Sequence, residues 1–156
     1  MKLKKSDITI LIDTREQMPL HFEQAKTGPV TLTTGDYSLK NFENEVCIER
    51  KSLGDLLSSL GTDRERFMKE ILRMRGFEYA ALVIESSLQE IANGNWQSRI
   101  SSASVIGSLQ SISVAHGVHV FWCENRNLAA HLTEGLLYHF LRTKLNAVEK
   151  LKEILD

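Results

Sequence analysis

The apolar run Ile8-Thr-Ile-Leu-Ile12 is short, β-branched and closed by Asp13, and a second run, Tyr79-Ala-Ala-Leu-Val-Ile-Glu85, is apolar at every position before its acid. Runs of this length, without alternation, are the pattern of strands buried on both faces of an α/β sheet. Thr14 to Gly28 is polar and mixed and predicts a loop, while Val30 to Thr33 alternates weakly and predicts a second strand. Gly35 to Lys51 predicts a β-hairpin turning between Phe42 and Glu43, with Tyr37 facing Ile48 and Leu39 facing Val46. After Lys51 the period changes. Leu53, Leu56, Leu57 and Leu60 recur at three and four, as on one face of a helix, with Ser52 placed to cap it and Asp55 in its first turn. Gly61 breaks that helix, and Phe67, Ile71 and Met74 mark the inner face of the next. A short helix at Leu88–Ala92 follows, then Trp96 packing over a helix end and a small-residue helix at Ala103–Ala115. Strand Val118–Trp122 comes last, before a long amphipathic helix from Asn125 to about Lys144. Leu145, Val148, Leu151 and Leu155 continue the helical spacing in a tail. Strands alternating with helices predict an α/β fold, a central mixed β-sheet flanked by helices.

The hairpin carries the chemistry. Its alternation puts Asp36 opposite Glu49 on the polar side, with Lys51 two residues further along the same side. Facing residues of an antiparallel pair hold their Cβ atoms about 4.5–5.5 Å apart, and like charges there repel. Two facing carboxylates ask for a cation, and their hard oxygens suit Mg²⁺ or Mn²⁺. Asp13, at the end of its strand, is directed to the same edge. On the helix after Gly61, Arg66, Lys69 and Arg73 form a basic stripe at spacings of three and four, the best candidate in the chain for gripping phosphates.

Composition adds little to this picture. With 42% hydrophobic and 25% charged residues the chain is ordinary for a globular protein, and 156 residues are enough for one domain with a sizeable core. The net charge of −1 neither announces nor excludes a nucleic-acid partner, since phosphate contacts need only local positive charge. Cys47 and Cys123 both sit in apolar, strand-like surroundings with no Cys-x-x-Cys spacing, which predicts buried thiols rather than zinc ligands. No stretch approaches a membrane span, and the run after Met1-Lys-Leu-Lys-Lys5 is too short for a secretory leader. A reducing, cytoplasmic location without membrane contact is the expectation.

Gly35-Asp36, then Glu49-Arg50-Lys51-x-x-x-Asp55, together with Asp13-Thr14-Arg15-Glu16 upstream, resembles the signature of the XPF-type structure-specific DNA endonucleases. The likeness covers most of residues 7–142 and implies a restriction-endonuclease-like nuclease core at 1–144 with a helical tail at 145–156. It implies a Mg²⁺-dependent (or Mn²⁺-dependent) DNA endonuclease of repair, recombination or replication, cutting branched, flapped or junction DNA. Asp36, Glu49 and Asp13 would hold the metal, and Lys51 would orient the attacking water or neutralise the phosphorane. Arg15 and Arg50 would contact phosphate oxygens, Glu16 would complete the site, and Asp55 would support Lys51 or Arg50. Family members commonly carry a following tandem helix-hairpin-helix module, and no Gly-rich hairpin pair is seen here, which points to a compact prokaryotic or phage-type member. One small domain touches few phosphates, so a homodimer or a partner nuclease or DNA-binding subunit is expected, through Asn125–Lys144 and Ala103–Ala115. The competing reading is a non-catalytic DNA-binding or scaffolding partner of a nuclease.

Overall fold

Residues 2–155 are described by this computed structural model, in which six strands form one mixed sheet. Met1 and Asp156, the outer ends of the two segments expected from the sequence, lie outside the described residues. The strands are β1 (Thr9–Asp13), β2 (Lys26–Val30), β3 (Tyr37–Leu39), β4 (Val46–Ser52), β5 (Tyr79–Glu85) and β6 (His119–Trp122), side by side in the order β2-β1-β3-β4-β5-β6. β1 runs parallel to β2 and antiparallel to β3, β3 and β4 are antiparallel, and β4, β5 and β6 are parallel. Parallel neighbours need crossovers, and helices supply them. α1 (Leu53–Leu60) and α2 (Arg64–Met74) lead from β4 to β5, and α3 (Leu88–Asn93) and α4 (Ser102–His116) lead from β5 to β6.

Strand β4 is buried on both faces because the sheet is covered on both. Val46 and Ile48 pack with Tyr37, Val83, Leu137 and Phe140, beneath helix α5 (Arg126–Leu155). Cys47 points the other way, into the cluster of Leu56, Phe67, Ile71 and Leu82 under α1 and α2. The alternation that a one-sided hairpin would turn to water is thus enclosed between two helical layers. Both cysteines are buried free thiols, raised above their ordinary range by burial. Among the described residues no helix is long and apolar enough to cross a membrane.

The hairpin register is the one its pattern predicts, with Tyr37 paired to Ile48. The helix boundaries follow the capping chemistry: the Ser52 hydroxyl accepts from the Asp55 amide at 3.2 Å, and Gly61 closes α1 before α2 restarts. Two elements differ from expectation. The second strand lies at Lys26–Val30 rather than Val30–Thr33, because its backbone pairs with β1 at the sheet edge, where side-chain alternation is weakly selected. The tail is also no separate segment. α5 continues unbroken through it to Leu155, and Leu145, Val148, Leu151 and Leu155 remain exposed.

The edge strand is moored by a residue with no signature in its pattern. Glu134 of α5 is only 3% exposed and accepts from the Gln24 amide at 2.9 Å and the Ala25 amide at 2.8 Å, with Lys5 Nζ 3.4 Å away. Burial works against its charge, but the two amides and Lys5 outweigh it and hold its pKa below the ordinary value. Replacing Glu134 with Ala leaves these donors unpaired. The expected loss is about 2–3 kcal/mol, or roughly 5–10 °C in melting temperature. An unchanged melting temperature by calorimetry would show that water replaces the carboxylate at no cost.

Candidate active site

Antiparallel pairing of β3 with both β1 and β4 brings Asp13, Asp36 and Glu49 to one edge of the sheet. Asp36 is held by its backbone on both sides: its amide donates to the Ile48 carbonyl at 2.9 Å, and its carbonyl accepts from the Asp13 amide at 2.8 Å. Its Oδ2 accepts from the Arg50 amide at 2.9 Å. Gly35 makes this entry possible. It has φ +80°, and a Cβ there would lie 3.1 Å from Cys47 Cβ and 3.2 Å from the Ile48 carbonyl oxygen.

Glu49 and Lys51 share the face of β4 that looks toward α2, and the Lys51 ammonium lies 3.2 Å from Glu49 Oε1 and 4.9 Å from the centre of the Phe67 ring. The wall opposite is α2, which contributes Glu70, a residue whose sequence position gave it no role beyond diluting the basic stripe. Its only signal was the spacing of three from inward-facing Phe67. These residues line a cleft of about 260 Å³ together with Arg15, Thr34, Arg66 and Arg73.

Crowding perturbs the acids strongly. Burial is the main cause that lifts Asp36 to about 6; the neighbouring Glu16 and Glu70 add to it, and the Arg50 amide and Glu49 oppose it. Glu49 is driven well above the carboxylate range by burial first, then by Asp36 and Glu70. Burial disfavours the charge on Lys51, yet Glu49, Glu70 and Asp36 prevail and raise its pKa, so it stays an ammonium at neutral pH.

The other expected residues fall in different places. Asp13 has both oxygens engaged, Oδ1 by the Arg15 amide and Nε at 2.9 and 2.8 Å, Oδ2 by Arg15 Nη2 at 3.1 Å and the Leu32 amide at 2.7 Å. These bonds outweigh burial and lower its pKa. Arg15 is in turn fixed at the mouth of the cleft with its side chain 68% exposed. Arg50 points through the sheet to the opposite side, where its side chain is 9% exposed and forks onto Glu16 at 2.9 and 3.1 Å and Glu85 at 2.9 Å. It offers no free face to a phosphate. Asp55 stands in a neighbouring cleft with Arg50 and Lys51, and among the described residues its side chain bonds to neither. Of the basic stripe, Arg66 and Arg73 line the acidic cleft, whereas Lys69 turns away and lies 3.3 Å from Glu65.

Among the described residues no group of three or more His, Cys, Asp or Glu side chains is already gathered as a metal cluster. The donor set nevertheless fits a hard divalent cation: Asp36, Glu49 and Glu70 crowd their carboxylates into one cleft, as oxygens that a cation would share. Asp13 and Glu70 both line this cleft, Asp13 with its oxygens bonded to Arg15 and to the Leu32 amide.

A family model, the ERCC4 domain, matches residues 12–136. The DNA repair endonuclease XPF of Cricetulus griseus is 29% identical over 138 residues, covering 82% of this chain, and its counterpart in Mus musculus matches equally. The chain spans 15% of the length of these relatives. Among solved structures, XPF from Aeropyrum pernix superposes with a TM-score of 0.65 at 18% identity, over 83% of this chain and 59% of that one. The same protein in complex with DNA gives 0.65 at 19%, over 88% and 66%. These structures share the fold of this chain.

The raised carboxylates set a pH dependence. Unfolded, Asp36 loses its proton near the ordinary 3.8; folded, it does so at about 6, and Glu49 is likewise raised well above its ordinary value. The native state therefore binds more protons across this window. The stability that these groups contribute is complete below about pH 4 and is lost as pH rises through 6. In the metal-free protein the melting temperature is expected to fall by several degrees between about pH 5.5 and about pH 8, and Asp36→Asn should flatten that fall. Parallel curves for wild type and variant would remove the crowding explanation.

Proposed function

We propose that this chain, which belongs to the ERCC4-domain family, is a divalent-metal-dependent DNA endonuclease acting on branched, flapped or single-strand/duplex junction DNA. The single observation that carries the proposal is the enclosed arrangement of Asp36, Glu49 and Glu70 around the Lys51 ammonium, with Arg15 poised at the rim. Crowded buried acids are unfavourable for folding, and a protein that keeps them beside a lysine is arranged for a cation and an anionic substrate. The XPF name of the relatives and the DNA-bound state of a structural neighbour support the same reading.

Asp36, Glu49 and Glu70 would hold Mg²⁺ or Mn²⁺, and such an ion polarises a phosphate and lowers the pKa of an attacking water. Lys51, retaining its proton, neutralises charge that develops on the phosphorane oxygens, an electrostatic role best served in a dry, preorganised site. Arg15, oriented by Asp13 and by the Leu32 carbonyl at 2.6 Å, receives a phosphate oxygen at the mouth. Arg66 and Arg73 extend that grip along α2. Glu16 and Arg50 support the site from behind the sheet rather than touching DNA. Pairing with a second chain or a partner subunit belongs to the same proposal, supported by Val148, Leu151, Ile154 and Leu155, exposed along the last turns of α5.

Lys51→Ala is expected to lower the single-turnover cleavage rate by about 10²-fold or more while DNA affinity changes little, because the ammonium acts only on developing charge. Asp36→Asn should abolish both cleavage and the Mg²⁺ or Mn²⁺ heat seen by calorimetry. The decisive assay uses forked, flapped, single-stranded and duplex DNAs with and without Mg²⁺. DNA bound but never cut, with no metal heat in the wild type, would favour a non-catalytic DNA-binding partner instead.

A further inference from the structure

We infer that the substrate strand is held on both sides of the bond it loses, and that Met18 packs against the face of the base beside that bond on the side away from α2. This rests on the nuclease reading above. A second cleft of about 520 Å³ adjoins the first, and the two share Arg15, Asp36, Glu49 and Lys51 as a common boundary. A strand laid across the acids therefore enters both. The first cleft adds Arg66 and Arg73 to that boundary; the second adds Gln17, Met18 and Arg126, with Asp55 beside them and Glu16 and Glu85 at its back, paired to Arg50.

Met18 is unusual in its setting. It is 64% exposed, yet the loop presenting it is held by several bonds. Its amide donates to Glu16 Oε1 at 3.3 Å, Arg126 Nη2 donates to the Met18 and Pro19 carbonyls, and the Leu20 amide donates to Tyr37 Oη at 2.8 Å. Glu16 is itself clamped by Arg50. A large apolar side chain is thus kept in water on a rigid backbone, at the rim of a cleft built from charges. Arg15 and Arg126, 68% and 37% exposed, line the same cleft as Met18. An apolar tip sharing a cleft with two cations suits a nucleobase and its phosphates. Thioethers make favourable contacts with aromatic rings, and base stacking tolerates any sequence.

The test is a double-mutant cycle between protein and DNA. Affinities with and without Met18→Ser are measured by fluorescence anisotropy on a non-cleaving Asp36→Asn background. The DNAs are a forked duplex and the same fork with one abasic nucleotide placed in turn at each position around the mapped cleavage site. Met18→Ser is expected to bind the intact fork about 2–10-fold more weakly. That loss should vanish on the one DNA whose abasic position lies beside the scissile bond. An equal loss on every DNA, or no loss on any, overturns the inference and leaves the nuclease reading standing wherever wild type cuts. Failure of wild type to bind or cut any DNA removes both. Because Met18 is exposed and its loop is held by backbone contacts, Met18→Ser folds as wild type, and an unchanged melting curve verifies this.

Discussion

The buried fork of Arg50 onto Glu16 and Glu85 is the interaction on which the rest of the site depends. It joins the loop after β1, the middle of β4 and the end of β5 in one ion network behind the sheet. Its hydrogen bonds to Glu16 are the chief reason the guanidinium pKa is raised, and they prevail over burial. Such a network stabilises only while complete, since removing one partner strands the other charges in a poor solvent. Its position matters as much as its energy. Glu49 and Lys51 flank Arg50 in sequence and so must point to the other face of the strand. One Glu-Arg-Lys triplet therefore supplies both the support and the chemistry, divided by the plane of the sheet.

The chemical face is shaped by enclosure. Were β4 the outer strand of a solvated hairpin, Asp36 and Glu49 would be ordinary surface acids. With α2 laid over them, they lose water and face Glu70, and their affinity for protons rises. The same enclosure keeps Lys51 charged, because the acids outnumber it locally, and rests its stem and ammonium over Phe67. Gly35 carries the backbone past Cys47 into this space where no side chain fits. The first carboxylate, Asp13, lines the same cleft and holds Arg15 at its mouth.

α5 covers the opposite face and shows how one helix serves two environments. Its first half buries Ala129, Ala130, Thr133, Leu137 and Phe140 against the sheet, and Glu134 moors the edge strand. Its last turns run beyond the sheet and keep their apolar residues in solvent. Contiguous exposed apolar surface of this kind is a common mark of an interaction site.

Periods and caps were legible along the chain because they are local. The apolar run to Asp13, the Tyr37–Ile48 pairing, the Ser52 cap, the break at Gly61 and the inward face of α2 all follow from neighbours in sequence, and all appear in the fold. Alternation alone placed Asp36, Glu49 and Lys51 on one face, and the motif resemblance marked the family. What tertiary structure decided is which charge meets which. Glu70 joined the acids only when α2 crossed over β4, Lys69 turned away, and Arg50 was claimed by Glu85, thirty-five residues distant. Partners so far apart leave no periodicity to read, and a side chain's role in a charged site is set by the partners that folding delivers. The edge strand at Lys26–Val30 and the mooring by Glu134 were hidden for the same reason: their bonds run through backbone amides, which every sequence carries alike.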